Sequence, residues 1–232
     1  AYGHNGAYVS MSNLVNNSGV VAADVTGVGT ARGDSAAANY GTDKAIFAYG
    51  GPPLTAISNL VSNTGVVATD VAGVGTARSM SAAASYGSTG QAIFGFGDSG
   101  SYVSLTNLVT NVGVVGSDVT GVGTGRFAPE AAAYGGDKAI FGYGSTGPMV
   151  SMTNLVSNTG VVSADVTGVG TARAHLAAAS YGGDKAIFGY GTTGSRVSLT
   201  NLVSNSGVVA ADVSGVGSAR SALAAAGYSN TA

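Results

Sequence analysis

Three residue types recur at fixed spacing and could do chemistry together. An Asn opens each Asn-Leu-Val, at Asn13, Asn59, Asn107, Asn154 and Asn201. An Asp follows at Asp24, Asp70, Asp118, Asp165 and Asp212, and an Arg at Arg32, Arg78, Arg126, Arg173 and Arg220. All three series step by 46, 48, 47 and 47 residues. Charged groups in such register suit charge-assisted hydrogen bonds between units or to backbone groups. The Asn side chains suit backbone groups left unpaired at bends. These fifteen residues read as structural positions, the alternative being five equivalent ligand sites of the kind repeat lectins carry.

Catalytic constellations are sparse. His4 and His175 stand alone, with no metal-ligand spacing around either, and the absence of Cys removes thiolate chemistry. Asp98 and Glu130 could meet as a carboxylate pair across neighbouring units, an arrangement that glycoside hydrolysis uses. Gly168-Val169-Gly170-Thr171-Ala172-Arg173 begins like a dinucleotide-binding loop, but an Arg replaces the last Gly and no helix pattern follows. It reads as a connector. The chain is therefore expected to carry no catalytic residue, no metal and no cofactor.

Composition narrows the classes further. The 232 residues hold 9 Lys and Arg against 11 Asp and Glu, a net charge of −2 that offers no basic footprint for nucleic acid. No apolar run reaches the length of a membrane span, and the first residues lack the pattern of a signal peptide. The chain is expected to be soluble, and the sequence leaves its compartment open, an extracellular setting or a virus particle being two that fit.

The elements that must position these residues follow from the period. Units of about 47 residues tile residues 1–232 as one domain, and each contains short apolar runs punctuated by Gly, Asn-Thr-Gly or Gly-Asp, which are strand and turn signals. In the fourth unit, strand A is expected at 176–181, strand B at 185–191, strand C at 197–204 and strand D at 208–215. The Ala triplets (36–38, 82–84, 131–133, 177–179 and 224–226) favour helix by propensity, but small side chains suit strands crowded around an axis. The expected fold is all-β: a five-bladed β-propeller with four antiparallel strands per blade.

The stretch from Thr171 to Gly191 (Thr-Ala-Arg-Ala-His-Leu-Ala-Ala-Ala-Ser-Tyr-Gly-Gly-Asp-Lys-Ala-Ile-Phe-Gly-Tyr-Gly) resembles a kelch repeat, in which an Arg precedes the inner strand and a glycine-rich apolar strand follows a tight turn. All five units match in outline. The family's Gly pair is replaced by Gly-Tyr-Gly or Gly-Phe-Gly, and its Trp is missing. The resemblance implies a propeller and leaves the activity open.

Alignment places Ala1-Tyr2-Gly3 with the end of strand B, while Ser221 to Tyr228 supplies strand A of the same blade. The ring is thus expected to close by pairing the N- and C-terminal segments, with one incomplete hairpin: either residues were trimmed, or the closing blade is weak, or another chain fills the gap by adding a strand, as strand exchange in an oligomer would. A monomer is the simpler expectation.

Comparison of the units separates constant from variable segments. Variation falls after the Arg and after strand B, and in an antiparallel meander both segments emerge at one end. That end gathers His4, Tyr8, Asp34, Leu54, Met80, Asp98, Tyr102, Phe127, Glu130, Met149, His175 and Arg196 as candidate ligand-binding residues. The function expected is non-enzymatic recognition of a glycan or protein, lectin-like or adhesion-like. The Gly- and Ala-rich units also look like those of virus-associated adhesion proteins. A self-assembling scaffold without a small ligand is the alternative, followed by a propeller enzyme of glycosidase type.

Overall fold

In the computed structural model, which describes residues 1–227, every regular element is a strand. A hairpin of β1 (Gly3–His4) and β2 (Tyr8–Val9) precedes four three-stranded antiparallel meanders. They are β3 (Ala36–Tyr40), β4 (Lys44–Ala48) and β5 (Ser58–Val61), then β6 (Ala82–Tyr86), β7 (Gln91–Gly95) and β8 (Thr106–Val109), then β9 (Glu130–Tyr134), β10 (Lys138–Gly142) and β11 (Thr153–Val156), and finally β12 (Ala177–Tyr181), β13 (Lys185–Gly189) and β14 (Thr200–Val203). Five repeated units are thereby present in an all-β chain. Among the described residues no helix is long and apolar enough to cross a membrane.

The Ala-rich strands stand side by side, β3 against β6, β6 against β9 and β9 against β12. Ala38, Ala84, Ala132, Ala179 and Ala226, one from each unit, line a common central cavity. A larger side chain would fill it, so close approach overrides the helical preference of Ala. Apolar burial lies between consecutive sheets: Tyr40, Ile46 and Ala48 of one pack with Phe94 and Val109 of the next. The same arrangement recurs at the following two junctions.

Sequence and structure differ in three places. First, the segment 208–215 is no strand; it touches its neighbour only at isolated bridges, Val203 with Val209 and Thr200 with Val213. Its Val208 is 66% exposed, and Asp212 turns away to bond Thr171 of the preceding unit, which interrupts the ladder. Second, the other strands are shorter than expected, β13 ending at Gly189 because Tyr190 and Gly191 adopt positive φ (62° and 103°). Third, β9 starts with Glu130, paired with Gly142 as Ala82 is with Gly95. Glu130 therefore occupies the first-alanine position and is not part of the variable loop.

Four of the junctions are each tied by one buried Arg. The guanidinium of Arg126 lies 4.0 Å from the centroid of Phe96 in the unit before it, while its Nη2 donates to Asn154 of the unit after it at 2.7 Å and its Nε to the Tyr143 carbonyl at 2.8 Å. Arg32, Arg78 and Arg173 repeat the stacking and the Asn bond. Arg78 differs in that its buried Nε has no partner. The Asn passes the link onward: Asn154 Nδ2 donates to Asp165, which also accepts from the backbone N and the Oγ1 of Thr124. Burial pushes the Arg126 guanidinium down to about 10, leaving it charged at neutral pH. Burial raises the Asp165 carboxyl, but bonds from Thr124 and Asn154 and the charge on Arg126 outweigh that and hold it below its usual range.

The fifth junction is different. Arg220 stacks on Tyr190 at 3.7 Å, yet it is exposed, and among the described residues it makes no bond to Asn13 or to the Tyr2 carbonyl. Asn13 is exposed as well, although it already bonds Asp24. The N-terminal segment does take the expected place at the end of a second strand: Gly3 N donates to the Arg32 carbonyl as Gly50 N does to Arg78. The expected closure extends to Tyr228, which lies outside the described residues.

Glycine explains how close the units come. A Cβ on Gly123 (φ +81°) would overlap the Asp165 carboxylate and lie 2.6 Å from Asn154 Nδ2, whereas one on Gly217 (φ +80°) would meet only Tyr190 Oη at 3.9 Å. Gly217→Ala should cost about 1 kcal/mol, the left-handed backbone alone, and Gly123→Ala about 3 kcal/mol because it also displaces the junction. Denaturant melts of the two variants check this; equal costs would contradict the junction geometry.

Candidate functional site

The variable segments pair with one another. The segment after each Arg bridges the hairpin after the middle strand: Gly33 with Gly51, Ser79 with Asp98, Phe127 with Ser145 and Ala174 with Thr192. The two families of changing residues thus share one end of the sheets. The hairpins close tightly on themselves through Asp98 and Tyr102, Ser145 and Met149, and Thr192 and Arg196. At the other end the turns after the Ala-rich strands are joined instead, Gly87 N donating to the Asp137 carbonyl and Gly135 N to that of Asp184.

Aromatic rings connect the variable segments across units. Tyr102 and Phe127 lie 4.7 Å apart between centroids, and Phe127 and His175 6.1 Å apart at 67°. Ring contacts of this kind add about 1 kcal/mol each beyond their area. His4 and Tyr8 form a separate edge contact at 5.0 Å. Tyr8 also lies against Gly33, where an added Cβ would come within 2.8 Å of its ring, and Leu54 packs on Gly51. Met149 and Arg196 remain on the hairpins of their own units.

Nearer the axis, Asp34, Met80, Ala128, His175 and Ala222 hold equivalent places. All five have positive φ, between 48° and 54°, and all line a funnel of about 280 Å³. Non-glycine residues in this region are strained, and such strain clusters where a site is held in place. The funnel also exposes Glu130 and Ser81. The Ser81 Oγ is buried with no hydrogen-bond partner.

Glu130 has the most perturbed carboxyl among the described residues. Ala36, Ala82 and Ala177 bury a methyl at its position in the other sheets, four residues after the Arg. Desolvation pushes the Glu130 carboxyl up to about 8, and no hydrogen bond or neighbouring charge offsets it. Solvent still reaches the residue through the funnel.

The Asp98 and Glu130 pair expected from sequence does not assemble. Asp98 accepts from Gly100 N in its own hairpin at 2.8 Å and exerts no charge on Glu130. Among the described residues, no three His, Asp or Glu side chains converge to hold a metal ion. The Asn, Asp and Arg series lies in the junctions between units. Sequence reading missed Ser81 and the repeated Thr of the connector. The Thr was legible in principle, since Thr30, Thr76, Thr124 and Thr171 precede their Arg by two residues.

No protein-family model and no curated protein matches the chain. Any functional reading must come from the site itself.

A raised carboxyl pKa links stability to pH. Between pH 4.5, its ordinary value, and about 8, folded Glu130 keeps a proton that the unfolded chain releases, so it weakens the fold increasingly as pH rises through that window. Glu130→Gln should flatten this decline. Melting temperatures across the window measure it, and parallel slopes for both proteins would show that the carboxyl is ordinarily solvated.

Proposed function

We propose that the chain is a kelch-like, five-bladed propeller that works as a non-enzymatic recognition module, binding a glycan or protein partner through the end where its units differ. One central cavity shared by an Ala-rich segment from every unit supports the ring reading. The recognition reading rests on a single observation. The segments that change between units meet at one end, where Tyr102, Phe127 and His175 form a continuous tier beside a funnel walled by different residues from each unit.

A surface built this way is asymmetric although its scaffold repeats. Repeat scaffolds concentrate their changes on the binding face, and aromatic, Met and Arg side chains supply contact area there. The in-register Asn, Asp and Arg are already bonded to one another at four junctions, which leaves them little capacity for five equivalent ligand sites.

A self-assembling scaffold is the second reading, and the fifth junction favours it. Arg220 presents one half of the repeated network, and Asn13 with Asp24 presents the other. A head-to-tail contact between copies would join them.

Arrays of glycans and of surface proteins should give a ligand that is lost when Phe127 and His175 are replaced by Ala. Replacement of Asp137 and Lys138, at the opposite end, should retain it. Retention in the first variant and loss in the second would place recognition on the wrong end of the sheets.

A further inference from the structure

The fold gives no reason for Glu130. Three sheets bury alanine at its position, and a carboxyl there accepts no hydrogen bond from any described residue. Glu130 is half-buried at the funnel wall, and a carboxyl drawn partly out of water without a partner is costly, so its presence calls for an explanation outside the scaffold. Ser81, whose Oγ is buried and unpartnered, belongs to the same funnel wall. Glu130, the first residue of β9, and Ser81, just before β6, thus flank one cavity.

The lining selects the ligand. Its walls include Met80, Pro129, Leu176 and Leu223, which suit a hydrocarbon stem, and its volume of about 280 Å³ is below that of a drug-sized pocket. The titratable groups facing the cavity are Glu130, Asp34 and His175, and no Lys or Arg lines it. Lys138 pairs with Tyr134 at the far end of β9 and β10. An anion finds no counter-charge here. A metal ion finds no convergent ligand set among the described residues. What remains is a cation small enough to reach the depth and apolar enough to pass the walls.

We propose that this funnel is a socket for a primary alkylammonium group, supplied by a lysine side chain of a protein partner, with Glu130 as its counter-ion. The proposal rests on the recognition reading above and specifies its ligand. An amino sugar carries the same ammonium, but its ring of hydroxyl groups is poorly matched to the aliphatic wall.

Proton balance gives the socket a signature. Near neutral pH, Glu130 holds a proton that must leave for solvent when the ammonium arrives, because the ion pair needs the carboxylate. No covalent bond changes. Each amine bound should release close to one proton, and affinity should fall about tenfold from pH 7 to pH 6. Asp34 and His175 are the other titratable side chains that face the cavity.

The test is calorimetric titration with n-butylammonium in buffers of different ionisation heat, beside Nα-acetyl-lysine amide, glucosamine and the neutral isostere 1-butanol. The wild type should bind both alkylammonium probes at millimolar concentration with proton release, and bind glucosamine and 1-butanol at least tenfold more weakly. Glu130→Gln should lose the release and the pH dependence together with about tenfold in affinity. Glu130→Ala, which restores the residue of the other sheets, provides a second folded variant with the same expected loss. Equal binding by wild type and either variant, absent proton release, no binding at all, or preference for glucosamine would overturn the socket. If the Phe127 and His175 variant loses a captured partner that Glu130→Gln retains, the recognition face stands and the socket does not.

Discussion

Four buried guanidinium groups, those of Arg32, Arg78, Arg126 and Arg173, hold this molecule's units together at their junctions. Each Arg is removed from water between an aromatic ring of one unit and an Asn of the next, so neither neighbour can be displaced without stranding a charge. Breaking a buried charged group's partnership costs about 3–5 kcal/mol, more than the net worth of an ordinary hydrogen bond. The rings beneath the Arg side chains, Tyr2, Tyr49, Phe96, Tyr143 and Tyr190, all take left-handed backbone angles of 61–63°. That strain turns the chain out of the middle strand and presents the ring to the Arg, and the stacking then offsets it by about 1–2 kcal/mol.

The same constraint separates scaffold from surface. Because the junction absorbs the repeated polar residues, the segments just outside it are released from the repeat and can differ. Asp34, Met80, Ala128, His175 and Ala222 share one backbone conformation while their side chains range from acid to thioether. A fixed backbone with free side chains is what a recognition surface on a repeat scaffold requires. Glu130 carries variation inside a strand, at a place the other sheets fill with a methyl.

Much of this was readable from residues alone. The turn and strand signals around Gly182-Gly183-Asp184-Lys185 locate the hairpin of β12 and β13, because a glycine turn joins two short apolar runs, although both strands are shorter than expected. Counting Ala triplets failed at Glu130; counting four residues on from Arg126 would have put it in register with Ala36 and Ala82. The outer segment around Val208 has a strand's composition, but its edge faces solvent and Asp212 is drawn to another unit, which composition does not encode. Spacing also shows that Asp and Arg repeat without showing partners: Asp70 bonds Thr30, forty residues earlier, and only the packing of sheets brings them together.

The most direct test of this account is a double-mutant cycle on Arg126 and Asn154, using Ala at each position and denaturant unfolding as the readout. The bond between them, at 2.7 Å and out of solvent, predicts a coupling energy of about 2 kcal/mol. Additive losses, with coupling indistinguishable from zero, would mean that the Arg is merely packed in the junction, and the account of how the units are joined would be wrong.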